Sequence, residues 1–109
     1  MKESRLYKTD SGKEPFEDWL TKIKDKTTKA RIRRRVDRLS FGHEGDCKSV
    51  GSGVYELRLM FGSGYRIYYG KSGDIIIVLL LGGDKGSQEE DIKKAHVYWR
   101  ESQENRYEP

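Results

Sequence analysis

The sequence predicts an α+β domain. It should hold a small antiparallel sheet with two N-terminal helices on one face and a C-terminal helix, in the order β-α-α-β-β-β-α. Three observations carry this. Residues 54–61 and 65–69 alternate apolar and polar side chains on either side of Gly62-Ser63-Gly64, the period of two that a half-buried strand needs. Ile75 to Leu81 is apolar without interruption, as in a central strand covered on both faces. Phe16, Trp19, Leu20 and Ile23 fall at i, i+3, i+4 and i+7, one stripe of an amphipathic helix.

The elements follow in order. Arg5 to Thr9 reads as a short first strand and Asp10 to Lys13 as a turn. Pro15 suits the first position of a helix, where a missing N–H costs nothing. A second helix begins between Asp25 and Thr28, whose oxygens can cap its free N–H groups, and runs to Ser40. Ile32, Val36 and Leu39 mark its buried edge, and Gly42 fits just past its end. Residues 43–52 read as a loop. In the next strand Tyr55, Leu57, Leu59 and Phe61 share one face, with Glu56 and Arg58 on the other. In the following strand Tyr65, Ile67 and Tyr69 lie opposite Arg66 and Tyr68. Gly62-Ser-Gly64 and Gly70-Lys-Ser-Gly73 supply hairpin turns. Ser87 and Glu90 have capping-box spacing, so the last helix should start there and bury Ile92, Ala95 and Trp99. Residues 104–109 are expected to form a flexible tail of this single domain, which spans 1–109.

Charge is high and unevenly placed. Charged residues make up 37% of the 109, against about 25% in an average domain. From Lys22 to Arg38 there are nine basic and two acidic residues, +7 in a chain whose net charge is only +4. A solvated helix face is usually mixed in sign, so this run points to an anionic partner. Lys29, Arg31, Arg34, Arg35 and Arg38 are the candidate contacts with RNA phosphates. The single cysteine, Cys47, allows no intramolecular disulfide. No apolar run approaches the ~18 residues of a membrane span, and the first residues lack the apolar stretch of a signal peptide. A reduced, cytoplasmic protein is the expectation.

Arg58, Arg66 and Lys85 are the candidate chemical centre. If the two alternating strands pair around the Gly-Ser-Gly turn, Arg58 and Arg66 share a sheet face. Lys85 leaves the end of the next strand. Arginine suits phosphate because its planar fork donates two parallel hydrogen bonds. The plainer reading makes these cations surface partners of Glu56 and Asp84. Tyr68 falls on the arginine face, where a phenol can stack on a base or share a proton. Tyr65 and Tyr69 read as core. His43 and His96 are isolated, Cys47 has no evident partner, and no HExxH or CxxC spacing occurs, so neither metal nor cofactor is expected. Gly82 to Ser87 lacks the GxxxxGK[ST] spacing of a phosphate-binding loop.

Four segments carry a resemblance: Gly53-Val-Tyr-Glu-Leu-Arg58, Gly62-Ser-Gly-Tyr-Arg-Ile-Tyr-Tyr69, Leu79-Leu-Leu-Gly-Gly-Asp-Lys85 and Ser87-Gln-Glu-Glu-Asp-Ile-Lys-Lys-Ala95. Together they look like the RelE/HigB toxins of type II toxin–antitoxin modules, in the HigB-like addiction module killer protein branch. The resemblance covers about residues 52–96; the helical half fits more loosely. It implies a RelE-like fold and a metal-independent endoribonuclease that cuts mRNA on the ribosome and inhibits translation. It also implies neutralisation by a HigA-like helix-turn-helix antitoxin. In such enzymes the 2′-hydroxyl attacks the adjacent phosphate, leaving a 2′,3′-cyclic phosphate and a free 5′-hydroxyl. Arg58, Arg66 and Lys85 match basic positions of the family. Glu56 stands where RelE has a lysine, and the C-terminal tyrosine of that site has no secure counterpart. The acid–base role therefore stays open between Glu56 and Tyr68, and Glu56 as a mere neutraliser of the arginines is equally open. The alternatives are a non-catalytic RNA- or ribosome-binding module acting through a protein partner, or an interaction protein whose function is the complex itself.

Overall fold

The computed structural model describes residues 2–73 and 76–105. Its elements are β1 (Glu3–Leu6), α1 (Pro15–Lys22), α2 (Lys26–Ser40), β2 (Cys47–Gly51), β3 (Val54–Arg58), β4 (Arg66–Ser72), β5 (Ile76–Gly83), a 3-10 turn (Lys85–Ser87) and α3 (Gln88–Asn105). The five strands form one sheet in the order β1-β5-β4-β3-β2. β2, β3, β4 and β5 pair antiparallel, whereas β1 runs parallel to β5. The fold is thus α+β around a mixed sheet, with one more strand than the sequence predicts.

Helices cover both faces of the sheet. On one face Phe16 and Leu20 of α1 and Ile32 and Leu39 of α2 pack on Leu57, Ile67, Tyr69 and Leu79. On the other, Ala95 and Trp99 of α3 pack on Val54, Tyr68, Leu80 and Leu81. Full burial of each of the Leu, Ile, Val and Phe side chains among these contributes about 1.5–3 kcal/mol. The alternation of β3 and β4 delivers Leu57, Ile67 and Tyr69 to one face and Glu56, Arg66 and Tyr68 to the other. β5, flanked by β1 and β4, is the expected central strand. A bulge where Tyr68 pairs Leu81 and Tyr69 pairs Leu79 leaves Leu80 unopposed and sends both Leu80 and Leu81 toward α3. Helix α3 lies so close that a Cβ on Gly70 would collide with the Trp99 ring, and one on Gly83 with the Asp91 carboxylate.

Several sequence expectations are corrected. Residues 47–51, expected as loop, are edge strand β2; the strand is polar, and its two most buried residues are only half-buried, so no alternation betrays it. β1 spans 3–6 rather than 5–9, although Tyr7 still donates its N–H to the Leu79 carbonyl at 3.0 Å. β3 stops at Arg58 and β4 starts at Arg66; the Leu59 N–H bonds the Tyr65 carbonyl at 2.9 Å, making residues 60–64 the hairpin loop. Gly70 to Ser72 belong to β4, not to a turn. Ile75 of the predicted strand lies outside the described residues. Asp25 caps α2 as expected, accepting from the Thr27 N–H at 3.2 Å.

Helix α3 starts where expected, at Gln88 directly after Ser87, but the capping differs. Ser87 is not its cap. Asp84 accepts from the N–H groups of Gly86 and Ser87 at 2.9 and 3.2 Å, closing a 3-10 turn before the helix begins. Ser87 Oγ in turn accepts from the Asp84 N–H at 3.4 Å, so the serine completes a capping box with Asp84 rather than with Glu90. Glu104 and Asn105, expected in the tail, are helical; residues 106–109 lie outside the described residues. No described helix is long and apolar enough to cross a membrane.

Candidate functional site

Arg58 and Arg66 stand directly opposite each other in the β3–β4 ladder. In an antiparallel pair such residues point to the same face, here the face that α3 covers further along. At the hairpin end of the sheet, beyond the start of α3, lies a cleft of about 420 Å³, lined by Arg58, Arg66, Lys85, Asp46, Tyr65 and Phe61 among others, so that it draws side chains from both faces. The three predicted cations therefore do converge, from two strands and the 3-10 turn. A second cleft of about 250 Å³ adjoins it, shares Asp46, Arg58, Met60 and Phe61, and adds Arg35, Arg38 and His43.

The cations differ in freedom. The Arg66 side chain is only 10% exposed. One terminal nitrogen donates to the Gly64 carbonyl at 2.9 Å. Its Nε is buried without a hydrogen-bond partner among the described residues and lies 3.7 Å from Glu56 Oε2. Arg58 is 41% exposed and pairs with Asp46 at 3.3 Å. Lys85 is exposed at the rim, against the Gly62-Ser-Gly64 loop. Burial makes a charge-assisted bond from Arg66 stronger than one from an exposed lysine.

Two residues read as site-facing are core. Tyr68 is fully buried beneath α3, and its hydroxyl lacks a hydrogen-bond partner among the described residues. Burial first, then the nearby Glu56 carboxylate, raises that hydroxyl well above the usual tyrosine range. A phenol there neither stacks on a base in the cleft nor gives up its proton readily. Glu56 is also fully buried. It is not held by Arg58: its Oε2 accepts from Gln88 at 2.9 Å and faces Arg66, while Oε1 lies 3.9 Å from Lys48. The side-chain period put both residues on the arginine face correctly; where α3 ends on that face is a tertiary fact.

The basic helix is partly spoken for. Arg31 lies over the Phe61 ring, its guanidinium carbon 3.8 Å from the centroid, and Arg38 lines the second cleft. Arg35, expected to bind phosphate, instead donates to the main-chain carbonyls of His43 and Glu44 at 3.0 and 2.5 Å and so ties down the loop before β2. Lys29 and Arg34 line neither cleft. Asp46 is the residue that sequence reasoning missed. It stands just ahead of β2, its carbonyl accepts the Arg58 N–H at 2.9 Å, and it is the one carboxylate among the described residues lining the larger cleft. Twelve residues separate it from Arg58, and only the β2–β3 pairing joins them.

Cys47 is half-buried outside the clefts, donates to the Glu44 carbonyl at 2.8 Å and has its thiol raised chiefly by burial. His96 bonds the Val50 carbonyl at 2.9 Å and fastens the edge strand to α3. Among the described residues no group of three or more His, Cys, Asp and Glu is placed to hold a metal ion.

No family model matches the chain. It is 45% identical over 86 residues to an uncharacterized protein of Haemophilus influenzae, an alignment covering 79% of this chain and 87% of that protein. The chain belongs to the same family as that protein.

Proposed function

We propose that this protein is the toxin of a type II toxin–antitoxin module of the RelE/HigB kind, an endoribonuclease that cuts mRNA on the ribosome. One observation carries the reading: Arg58, Arg66 and Lys85, drawn from separate elements, line one open cleft beside Phe61, Tyr65 and the arginines of α2. Single-stranded RNA needs this combination, cations for the backbone and aromatic edges for unstacked bases. Arg66 is preorganised and desolvated, so it stabilises charge that develops on a phosphorane more than an exposed cation does. With Glu56 and Tyr68 buried, Asp46 takes the proton from the attacking 2′-hydroxyl. The oxygen–phosphorus bond forms, the bond to the 5′ oxygen breaks, and that oxygen takes a proton from solvent water, whose hydroxide recovers the proton from Asp46 and restores its carboxylate. A HigA-like antitoxin would silence the site.

A second reading is favoured by one fact. The two residues first considered for proton transfer are both out of reach of the cleft, as in a module that binds RNA or ribosomes without cutting. Programmed ribosomes incubated with the purified chain separate the two. Cleaved mRNA ending in a 2′,3′-cyclic phosphate supports the enzyme; saturable ribosome binding with intact mRNA supports the binding module. Growth arrest on expression, relieved by the neighbouring gene, tests the toxin–antitoxin assignment.

A further inference from the structure

We propose that Gln88 is a positioning residue for Arg66, acting through the buried Glu56 carboxylate. The proposal deepens the reading of the cleft as a phosphate site and rests on it. A carboxylate has about four acceptor directions. Among the described residues Glu56, fully buried, fills only one with a short hydrogen bond, the 2.9 Å contact from Gln88 Nε2 to Oε2. Its ion pairs are longer, 3.7 Å to Arg66 and 3.9 Å to Lys48. The Gln88 bond therefore fixes the rotation of the carboxylate and aims Oε2 at Arg66 Nε. Arg66 is then fixed by one hydrogen bond, from a terminal nitrogen to the Gly64 carbonyl, and drawn at Nε by the Glu56 charge 3.7 Å away. Its remaining donors are left for the cleft.

The base of this relay is rigid. Gln88 is the first residue of α3, directly after the turn that Asp84 caps. Ser87 Oγ donates to Asp91 at 2.5 Å, and Asp91 sits over Gly83, the residue paired with Arg66 in the ladder. A side chain at 83 would fill the space that Asp91 occupies. The first turn of α3 is thus keyed to the strand that carries Arg66. A guanidinium fixed in this way loses less freedom when it grips phosphate, and misplacement by ~1 Å costs about 10²-fold in rate.

The test is Gln88→Leu, alone and in an Arg66→Ala background, with Gln88→Asn as a second variant that keeps the amide but shortens its reach. The first readout is solvent exchange of the Arg66 Nε–H proton by NMR, assigned by its loss in Arg66→Ala. The second is cleavage of mRNA on programmed ribosomes. Gln88→Leu and Gln88→Asn should each speed exchange of that proton and lower kcat about 10–100-fold with KM little changed. In the Arg66→Ala background Gln88→Leu should have no further effect. Unchanged Arg66 exchange, or losses that add in the double variant, would overturn the proposal. If the wild-type chain cuts no mRNA, the enzyme reading fails, and the exchange measurement alone decides whether Gln88 positions Arg66.

Discussion

Arg66→Ala should damage both rate and stability, and the two losses should be separable. As a sequence position Arg66 resembles an ordinary strand-surface cation, whose exposed pairs contribute about 0–1 kcal/mol. The structure changes that figure. The Arg66 side chain is 10% exposed, and its partner Glu56 is not exposed at all. Alanine at 66 leaves a buried carboxylate with the Gln88 bond and a Lys48 ammonium 3.9 Å away. Breaking a buried pair by removing one partner costs about 3–5 kcal/mol. The long 3.7 Å separation and the surviving Gln88 bond put this case lower, at about 2–3 kcal/mol. For a domain of this size that is a fall in Tm of about 8–12 °C. Cleavage should fall about 10²–10³-fold through loss of a preorganised donor. Adding Glu56→Gln removes the stranded charge, so the double variant should regain most of the Tm and none of the activity. The assays are thermal unfolding by circular dichroism and mRNA cleavage on programmed ribosomes. An unchanged Tm in Arg66→Ala would refute the buried-pair argument. Recovery of cleavage along with Tm in the double variant would refute a catalytic role for Arg66.

Other expectations follow from the same geometry. Asp46→Asn keeps an acceptor for Arg58 but removes a negative charge from the cleft; RNA should bind as tightly or more tightly while cleavage slows about 10²–10⁴-fold, and a wild-type rate would exclude Asp46 as the base. Charge reversal at Arg31 and Arg38 together should flatten the salt dependence of ribosome binding by about 0.7–0.9 log units per lost phosphate contact, whereas an unchanged slope would remove α2 from the interface. Burial raises the hydroxyls of Tyr68 and Tyr69, so the native state keeps protons that the unfolded chain releases. Their contribution to stability is fully present below about pH 10 and is lost as pH rises through the raised native values. Phenolate absorbance from these two residues should accordingly appear with unfolding, Tyr68→Phe should soften the alkaline loss, and ionisation preceding unfolding would contradict their burial.

The sequence alone determined what depends on local periodicity. Alternation at 54–58 and 66–69 assigned each side chain to its face, the 16/19/20/23 stripe oriented α1, and the apolar run ending at Leu81 announced a strand covered on both sides. Because directly paired residues share a face, Arg58 and Arg66 were also legible as neighbours. Tertiary structure decided what depends on ends and edges. β2 was hidden because a half-exposed edge strand needs no apolar alternation, and with it went the partnership of Asp46 and Arg58. Parallel pairing of β1 with β5 joins strands some seventy residues apart, a contact that no local pattern encodes. Above all, the sequence put Glu56, Arg58, Arg66 and Tyr68 on one face but gave no means of telling where α3 stops along it. That boundary, set by Trp99 against Gly70 and Asp91 against Gly83, buries Glu56 and Tyr68 and leaves Arg58 and Arg66 at the open cleft.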